Sequence, residues 1–211
     1  MKYTAKSYFF DLDHPVIQEI VEDYRDLGSD TDVIRELYIK VREGWLYRPF
    51  DIGLTKSHFK ASNIAQKPSG HCIDKAILYT TLLRAFEIPA RLHLAKVSNH
   101  IATERLEKII GTNELAPHGM VDVYHQGKWV KCSPAFNKEL CDRYQVEVLE
   151  FDGSQDAVFQ EYNRDQQLFM RYLEDYGHFS DVPFVLIKEI FKSNYPALYK
   201  NFKGKDQILI Q

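Results

Sequence analysis

The sequence predicts an α+β fold, with helices first, an antiparallel sheet in the middle and helices after it. Apolar residues recur with helical spacing up to about residue 85, and they alternate with polar residues, as in strands, from residue 90. Helical spacing returns beyond residue 155. A chain of 211 residues, 45% of them hydrophobic, can bury a substantial core. We therefore expect a single domain over residues 1–211, with its core at about 60–140 and helical flanks.

Charge and hydropathy narrow the classes of partner. The 27 basic and 30 acidic residues are interspersed and give a net charge of −3. Because the basic residues form no continuous stripe, we expect no nucleic-acid partner. No segment approaches the roughly 18 uninterrupted apolar residues of a membrane span, and the N-terminus lacks an apolar signal region. We expect no membrane partner and a cytoplasmic location. Three cysteines without a CxxC pair argue against a disulfide framework.

Three helices are predicted in the first half of the chain. The first runs from the candidate N-cap Asp13 to Gly28, and the second from the candidate N-cap Thr31 to Gly44. After an irregular stretch rich in Ser, Asn, Gly and Pro, residues 73–83 carry a broad apolar stripe. We expect this third helix to be largely buried.

Residues 118–133 predict a hairpin turning at Gln126-Gly127. Its predicted pairs are Val121 with Cys132, Asp122 with Lys131, Val123 with Val130, Tyr124 with Trp129, and His125 with Lys128. This register joins apolar residues on one face and opposite charges on the other, whereas a slip of one residue would mix them. It also places His118 on the same face as Ser133, diagonally across the ladder.

The remaining segments complete the predicted order of elements. Residues 90–97 alternate as a strand, and the polar segment 98–117 has a length that often covers a site. Residues 155–177 and 182–202 predict further helices.

Cys72 is the candidate nucleophile. It begins the third helix, where unpaired backbone N–H groups carry partial positive charge and favour a thiolate, and a nearby histidine lowers a cysteine pKa further. The alternative is that Cys72 is a small buried hydrophobe at the start of a core helix. Cys132, on the apolar hairpin face, and Cys141, which has no partner pattern, are predicted to be structural.

His118 is the candidate base, because it lies at the open end of the hairpin, where an orienting partner can stand across the ladder. A zinc site made by Cys72, His118 and another histidine would lack ligand spacing, so we expect no metal and no cofactor. The candidate substrate-binding residues are Gly70, His71, Asn99 and His100. Gly70 leaves the backbone open, and His71 either tunes the thiolate or points away to the surface. Asn99 and His100 either line the cleft or end a strand.

Two segments together resemble the transglutaminase-like superfamily. They are GHCIDKAILYTTLLRAFEIPAR, with its G-x-C helix, and HGMVDVYHQGKWVKCSP, with its histidine and tryptophan strands. Asn99-His100 and the continuation PAFNKELCDRYQVEVLEFDG resemble a bacterial branch of that superfamily. The resemblance implies a papain-like α+β fold in which the cysteine helix packs on an antiparallel sheet. It also implies a Cys72–His118 dyad with thiolate chemistry on carbonyl compounds.

The sequence departs from the family pattern at two positions. Ser133 stands where the superfamily has the aspartate that orients the histidine, so the third member is Ser133, Asn137 or absent. Glu87 replaces a glycine after the helix, where left-handed geometry strains a residue with a Cβ.

The function expected from these residues is cysteine-dependent acyl transfer at an amide or ester carbonyl, with hydrolysis favoured. The substrate would be a peptide, a protein or a small amide. The alternative is a catalytically silent module that keeps the fold to bind a peptide or a protein. The sequence indicates neither the substrate nor the oligomeric state.

Overall fold

The helices and strands follow the predicted order as far as residue 144. The computed structural model describes residues 2–49, 51–100, 107, 108, 110–201 and 207–209. The helices are α1 (Pro15–Glu22), α2 (Asp30–Gly44), α3 (Ala61–Ala65), α4 (Cys72–Ala85), α5 (Lys138–Tyr144), α6 (Phe184–Asn194) and α7 (Pro196–Asn201). The strands are β1 (Leu46–Tyr47), β2 (Asp51–Gly53), β3 (Ser69–Gly70), β4 (Ala90–Asn99), β5 (Glu114–His125), β6 (Lys128–Cys132), β7 (Met170–Phe179) and β8 (Gln207–Leu209).

A four-stranded antiparallel sheet in the order β6-β5-β4-β7 forms the centre of the fold. The predicted hairpin is confirmed in all five of its pairs, from Val121 with Cys132 to His125 with Lys128. Gln126 and Gly127 form its turn with φ of 49° and 82°, the geometry of a tight hairpin connection. Alternation of apolar and polar residues therefore set this register.

Helix α4 packs on the sheet against β5 and is covered on its other sides by α2 and α3. Its apolar residues join the main core, and even Asp74 and Lys75 are fully buried. The prediction of a buried cysteine-bearing helix on an antiparallel sheet is confirmed. Glu87 ends the turn after the helix with φ of 58°, so the expected left-handed geometry is also confirmed.

Two predicted helix starts and one helix end are wrong. The N-cap of α1 is His14, not Asp13, and α1 stops at Glu22, well before Gly28. The N-cap of α2 is Ser29, whose hydroxyl accepts the Asp32 N–H, so helix formation begins before Thr31. In both cases a neighbouring side chain that reaches a free N–H replaced the predicted cap.

Residues 155–177 do not form the predicted helix. Residues 170–179 instead form β7, which pairs with the free edge of β4 from Asn99↔Met170 to Leu92↔Phe179. Most β7 side chains are exposed or half-buried. The sheet therefore extends beyond the predicted core at 60–140.

The helices predicted at 182–202 are confirmed as α6 and α7, although residue 202 lies outside the described residues. Residues 101–106 and 109, in the segment predicted to cover a site, also lie outside them. Within the described part of the chain, no helix combines the length and the hydropathy that crossing a membrane requires.

Candidate active site

Cys72 is the first residue of α4, and a reciprocal cap fixes its position. The His71 Nδ1 accepts the Asp74 N–H at 3.1 Å, and the Asp74 carboxylate accepts the His71 N–H at 3.3 Å. This capping box satisfies two N–H groups at the start of the helix. The prediction that His71 lies at the surface is wrong. His71 is buried, because capping turns its ring back over the helix.

Burial controls the protonation of Cys72. The residue is only 7% exposed, and burial raises the pKa of its thiol to about 11, because a thiolate is poorly solvated there. The backbone N–H groups of Gly119, Ile73 and Cys72 act in the opposite direction and lower this pKa. The expected low pKa is therefore wrong, although N–H groups of the helix start do act on the sulfur as predicted.

Gly119 brings β5 against the start of α4. A Cβ added to Gly119 would lie 2.6 Å from the Cα of Ile73 and 3.0 Å from the carbonyl carbon of Cys72. Such distances require glycine at this position. Gly119 is not among the predicted site residues, although an isolated glycine inside a strand indicates a close backbone approach.

His118 precedes Gly119 in β5 and is 1% exposed. Burial lowers the pKa of its imidazole to about 4, and repulsion from His71 adds to this shift. Neither ring nitrogen has a hydrogen-bond partner among the described residues. His118 is therefore neutral near pH 7 and can accept a proton.

Ser133 and Asn137 have different surroundings. Ser133 lines a small cavity together with His118, as the hairpin register predicts for side chains on one face. The Asn137 amide oxygen instead accepts the Tyr47 N–H at 3.3 Å, and Asn137 does not line that cavity. Of the two candidates, only Ser133 shares the surroundings of His118.

Cys72 lines a second cavity of about 50 Å³ between the main core and α6. Pro117 of β5 lines the Cys72 cavity, and the next residue, His118, lines the Ser133 cavity. Tyr47 also lines the Cys72 cavity. Burial raises the pKa of its hydroxyl well above the usual value, and the charge and hydrogen bonding of the Cys72 thiol raise it further.

Of the predicted substrate-binding residues, only His71 lines the Cys72 cavity. Gly70 is buried in β3 opposite Tyr47, and a Cβ there would lie 2.9 Å from the Cβ of Asp74. The backbone N–H groups of Asn99 and His100 bond to Asn113 and Phe169 at the far end of β4. Neither Asn99 nor His100 lines the Cys72 cavity.

His58, His71 and Asp74 are the described residues whose side chains could hold a metal ion, with ligand atoms within 4.8 Å of one another. Two of these groups already serve the cap, since the His71 Nδ1 accepts an N–H and the Asp74 carboxylate accepts another. Lys67 Nζ also lies 3.1 Å from His58 Nδ1, which disfavours a second cation. The arrangement is that of a helix cap.

A polar cluster on the sheet fixes Asp122. Its carboxylate accepts Arg91 Nε at 2.8 Å and lies 2.8 Å from His93 Nδ1, while His93 Nε2 lies 2.9 Å from Asp175. Asp122 therefore ties β5 to β4 and, through His93, to β7.

Two comparisons with known proteins gave matches. The family model of the transglutaminase-like superfamily matches residues 18–134. The chain also aligns with the crystal structure of a protein from Cytophaga hutchinsonii named a "putative cysteine protease", at 15% identity and a TM-score of 0.48. That alignment covers 88% of this chain and 48% of the other, so this chain spans about half of its length. A comparison with curated proteins gave no match.

Proposed function

The chain belongs to the transglutaminase-like superfamily, and from this premise we propose that it transfers acyl groups from amides or esters through Cys72 and His118. Family membership supports a cysteine-type enzyme in general. The proposal depends above all on the contact between Gly119 and the start of α4, which surrounds the Cys72 sulfur with backbone N–H groups. The candidate base, His118, immediately precedes the β5 residue that makes this contact.

The proposed reaction begins from a neutral pair. The Cys72 thiol gives its proton to the neutral His118 imidazole as the sulfur attacks the carbonyl carbon, because at neutral pH the thiol is protonated and the neutral imidazole has one nitrogen that can accept a proton. The N–H groups of Cys72 and Gly119 would stabilise the oxyanion. Collapse then releases the amine or alcohol, which takes the proton from His118 and leaves an acyl-enzyme. Water hydrolyses this intermediate in the favoured outcome.

Mass spectrometry of the intact protein tests this function. Incubation with a panel of peptide, small amide and ester substrates should add one acyl group, mapped to Cys72, and Cys72→Ser should abolish turnover. His118→Ala should lower the rate of acylation by at least about 100-fold, the usual contribution of a general base. Cys141→Ser, which changes a buried cysteine outside the site, should leave the rate unchanged. Unchanged acylation in His118→Ala would remove His118 from the reaction.

A silent binding module is the second candidate function. It is favoured by the burial of the Cys72 thiol and the His118 imidazole, since neither group is charged at neutral pH. It is also favoured by Ser133, which brings no carboxylate to orient the imidazole. If a peptide bound equally to the wild-type and Cys72→Ala proteins and was never cleaved or transferred, this candidate would replace the first.

A further inference from the structure

The cavity beside Cys72 has a markedly apolar wall. Aliphatic and aromatic side chains from β2, the segment before α3, β5 and α6 line it, and among the described lining residues none is Asp, Glu, Lys or Arg. Members of this wall include Ile52, Phe59, Leu115, Ile187 and Phe191. A charged substrate group would find no counter-ion there, and burying an unpaired charge is strongly unfavourable.

The few polar groups of the wall already have other contacts. The Tyr195 hydroxyl donates to the Glu114 carbonyl at 2.8 Å and accepts the Ala116 N–H at 2.6 Å. The His71 Nδ1 accepts the Asp74 N–H, and burial lowers the pKa of His71, which keeps this ring neutral. The Tyr47 hydroxyl interacts with the Cys72 thiol. Little polar capacity remains to recognise a polar substrate group.

The volume of the cavity limits the size of its occupant. At about 50 Å³ it is much smaller than the roughly 150 Å³ cavity that holds a benzene molecule. A short aliphatic group therefore fits without rearrangement of the wall, whereas an aromatic ring does not.

We infer that this cavity binds the acyl group of the substrate, and that this group is a short, uncharged aliphatic chain. The inference rests on the proposed function, because it assigns the occupant by its attachment to the carbonyl that Cys72 attacks. With a 4-nitrophenyl ester as probe, the Cys72 sulfur forms a bond to the carbonyl carbon. The bond to the nitrophenolate breaks, and the thiol proton leaves through His118.

A binding measurement tests the cavity without catalysis. In the Cys72→Ala protein, butyramide should shift the NMR signals of the residues that line the cavity, and Ile52→Trp, which fills it, should abolish these shifts. Succinamate, which adds a carboxylate to a chain of the same carbon number, should bind at least about 100-fold more weakly. If butyramide produced no shifts, or if succinamate bound equally well, the inference would be overturned whatever the protein catalyses.

Acylation rates test specificity and separate the two proposals. In the wild-type protein the butyrate and isobutyrate 4-nitrophenyl esters should acylate Cys72 at least 100-fold faster than the hemisuccinate. Ile52→Ala should move the preference toward the hexanoate, while Leu173→Trp, on the exposed part of β7, should not. Equal acylation by butyrate and hemisuccinate would overturn the inference and leave acyl transfer standing. If no ester acylated Cys72, the proposed function would be wrong. The inference rests on that function, so it would also be wrong, even if butyramide binds in the cavity.

Discussion

Gly119 and Ile73 approach so closely that a side chain on Gly119 has no room: its Cβ would lie 2.6 Å from the Ile73 Cα. Both groups in this contact belong to backbone segments, strand β5 and the first turn of α4, so neither can move like the end of a flexible side chain. The contact fixes the distance between the strand that carries His118 and the helix that begins at Cys72.

We predict that Gly119→Ala separates these two elements. Overpacking at a rigid contact should lower the free energy of unfolding by about 1–3 kcal/mol and slow the chemistry of Cys72. Urea unfolding and the acylation rate measure the two effects. Gly44→Ala is the matched control, because the nearest atom to its new Cβ would be the Lys40 Cδ at 3.8 Å. Wild-type stability and reactivity in Gly119→Ala would show that the contact is unimportant.

The alkylation of Cys72 should reveal its raised pKa. Because the pKa of the thiol is about 11, the rate of labelling by iodoacetamide should rise about tenfold per pH unit between pH 7 and 10. An ordinary thiol, with a pKa of about 8.5, levels off earlier. Peptide mapping should find Cys72 labelled before Cys132 and Cys141, which are fully buried. A plateau near pH 6 would instead indicate a preformed thiolate and imidazolium pair.

His118 should make the protein less stable in acid. Its pKa is about 4 in the folded protein and about 6.5 in the unfolded chain, so between these values only the unfolded chain binds the proton. The free energy of unfolding should therefore fall by up to about 3 kcal/mol as the pH drops from 6.5 to 4. Urea unfolding at several pH values should show a smaller fall in His118→Gln, and the wild-type fall in the exposed-site control His100→Gln. Identical slopes in all three proteins would contradict the prediction.

Ser133→Asp should give His118 the orienting carboxylate that the family has at this position. A carboxylate in the cavity shared with His118 should raise the imidazole pKa above about 4 and preserve or increase the acylation rate. NMR titration of the histidines and acylation kinetics measure both effects. Asn137→Ala is the comparison: if it lowered the rate while Ser133→Ala did not, Asn137 would take the role of third member.

Lys75 should be essential for stability although it takes no part in the proposed reaction. Its buried amino group donates to the carbonyls of Arg42, Trp45 and Ala135, each at 2.8 Å, and burial lowers its pKa to about 7. Lys75→Met removes three hydrogen bonds and leaves buried carbonyls without a donor, which should cost at least about 3 kcal/mol. The same change at the exposed Lys56 should cost little. A urea midpoint within experimental error of wild type in Lys75→Met would refute the prediction.

The sequence by itself determined the features that depend on local periodicity. The hairpin register followed from alternation over residues 121–132, and the buried helix followed from the apolar stripe at residues 73–83. Each is set by residues close together in the chain, so the sequence pattern carries the information needed to predict it.

Only the tertiary structure decided the features that depend on distant partners. Residues 170–179 became a strand because the edge of β4 offered hydrogen bonds that a local helical pattern does not reveal. The thiol of Cys72 acquired a raised pKa, because the desolvation produced by surrounding elements outweighed the N–H groups of its own helix. Burial and strand pairing depend on residues that are far apart in the sequence, so local spacing does not specify them.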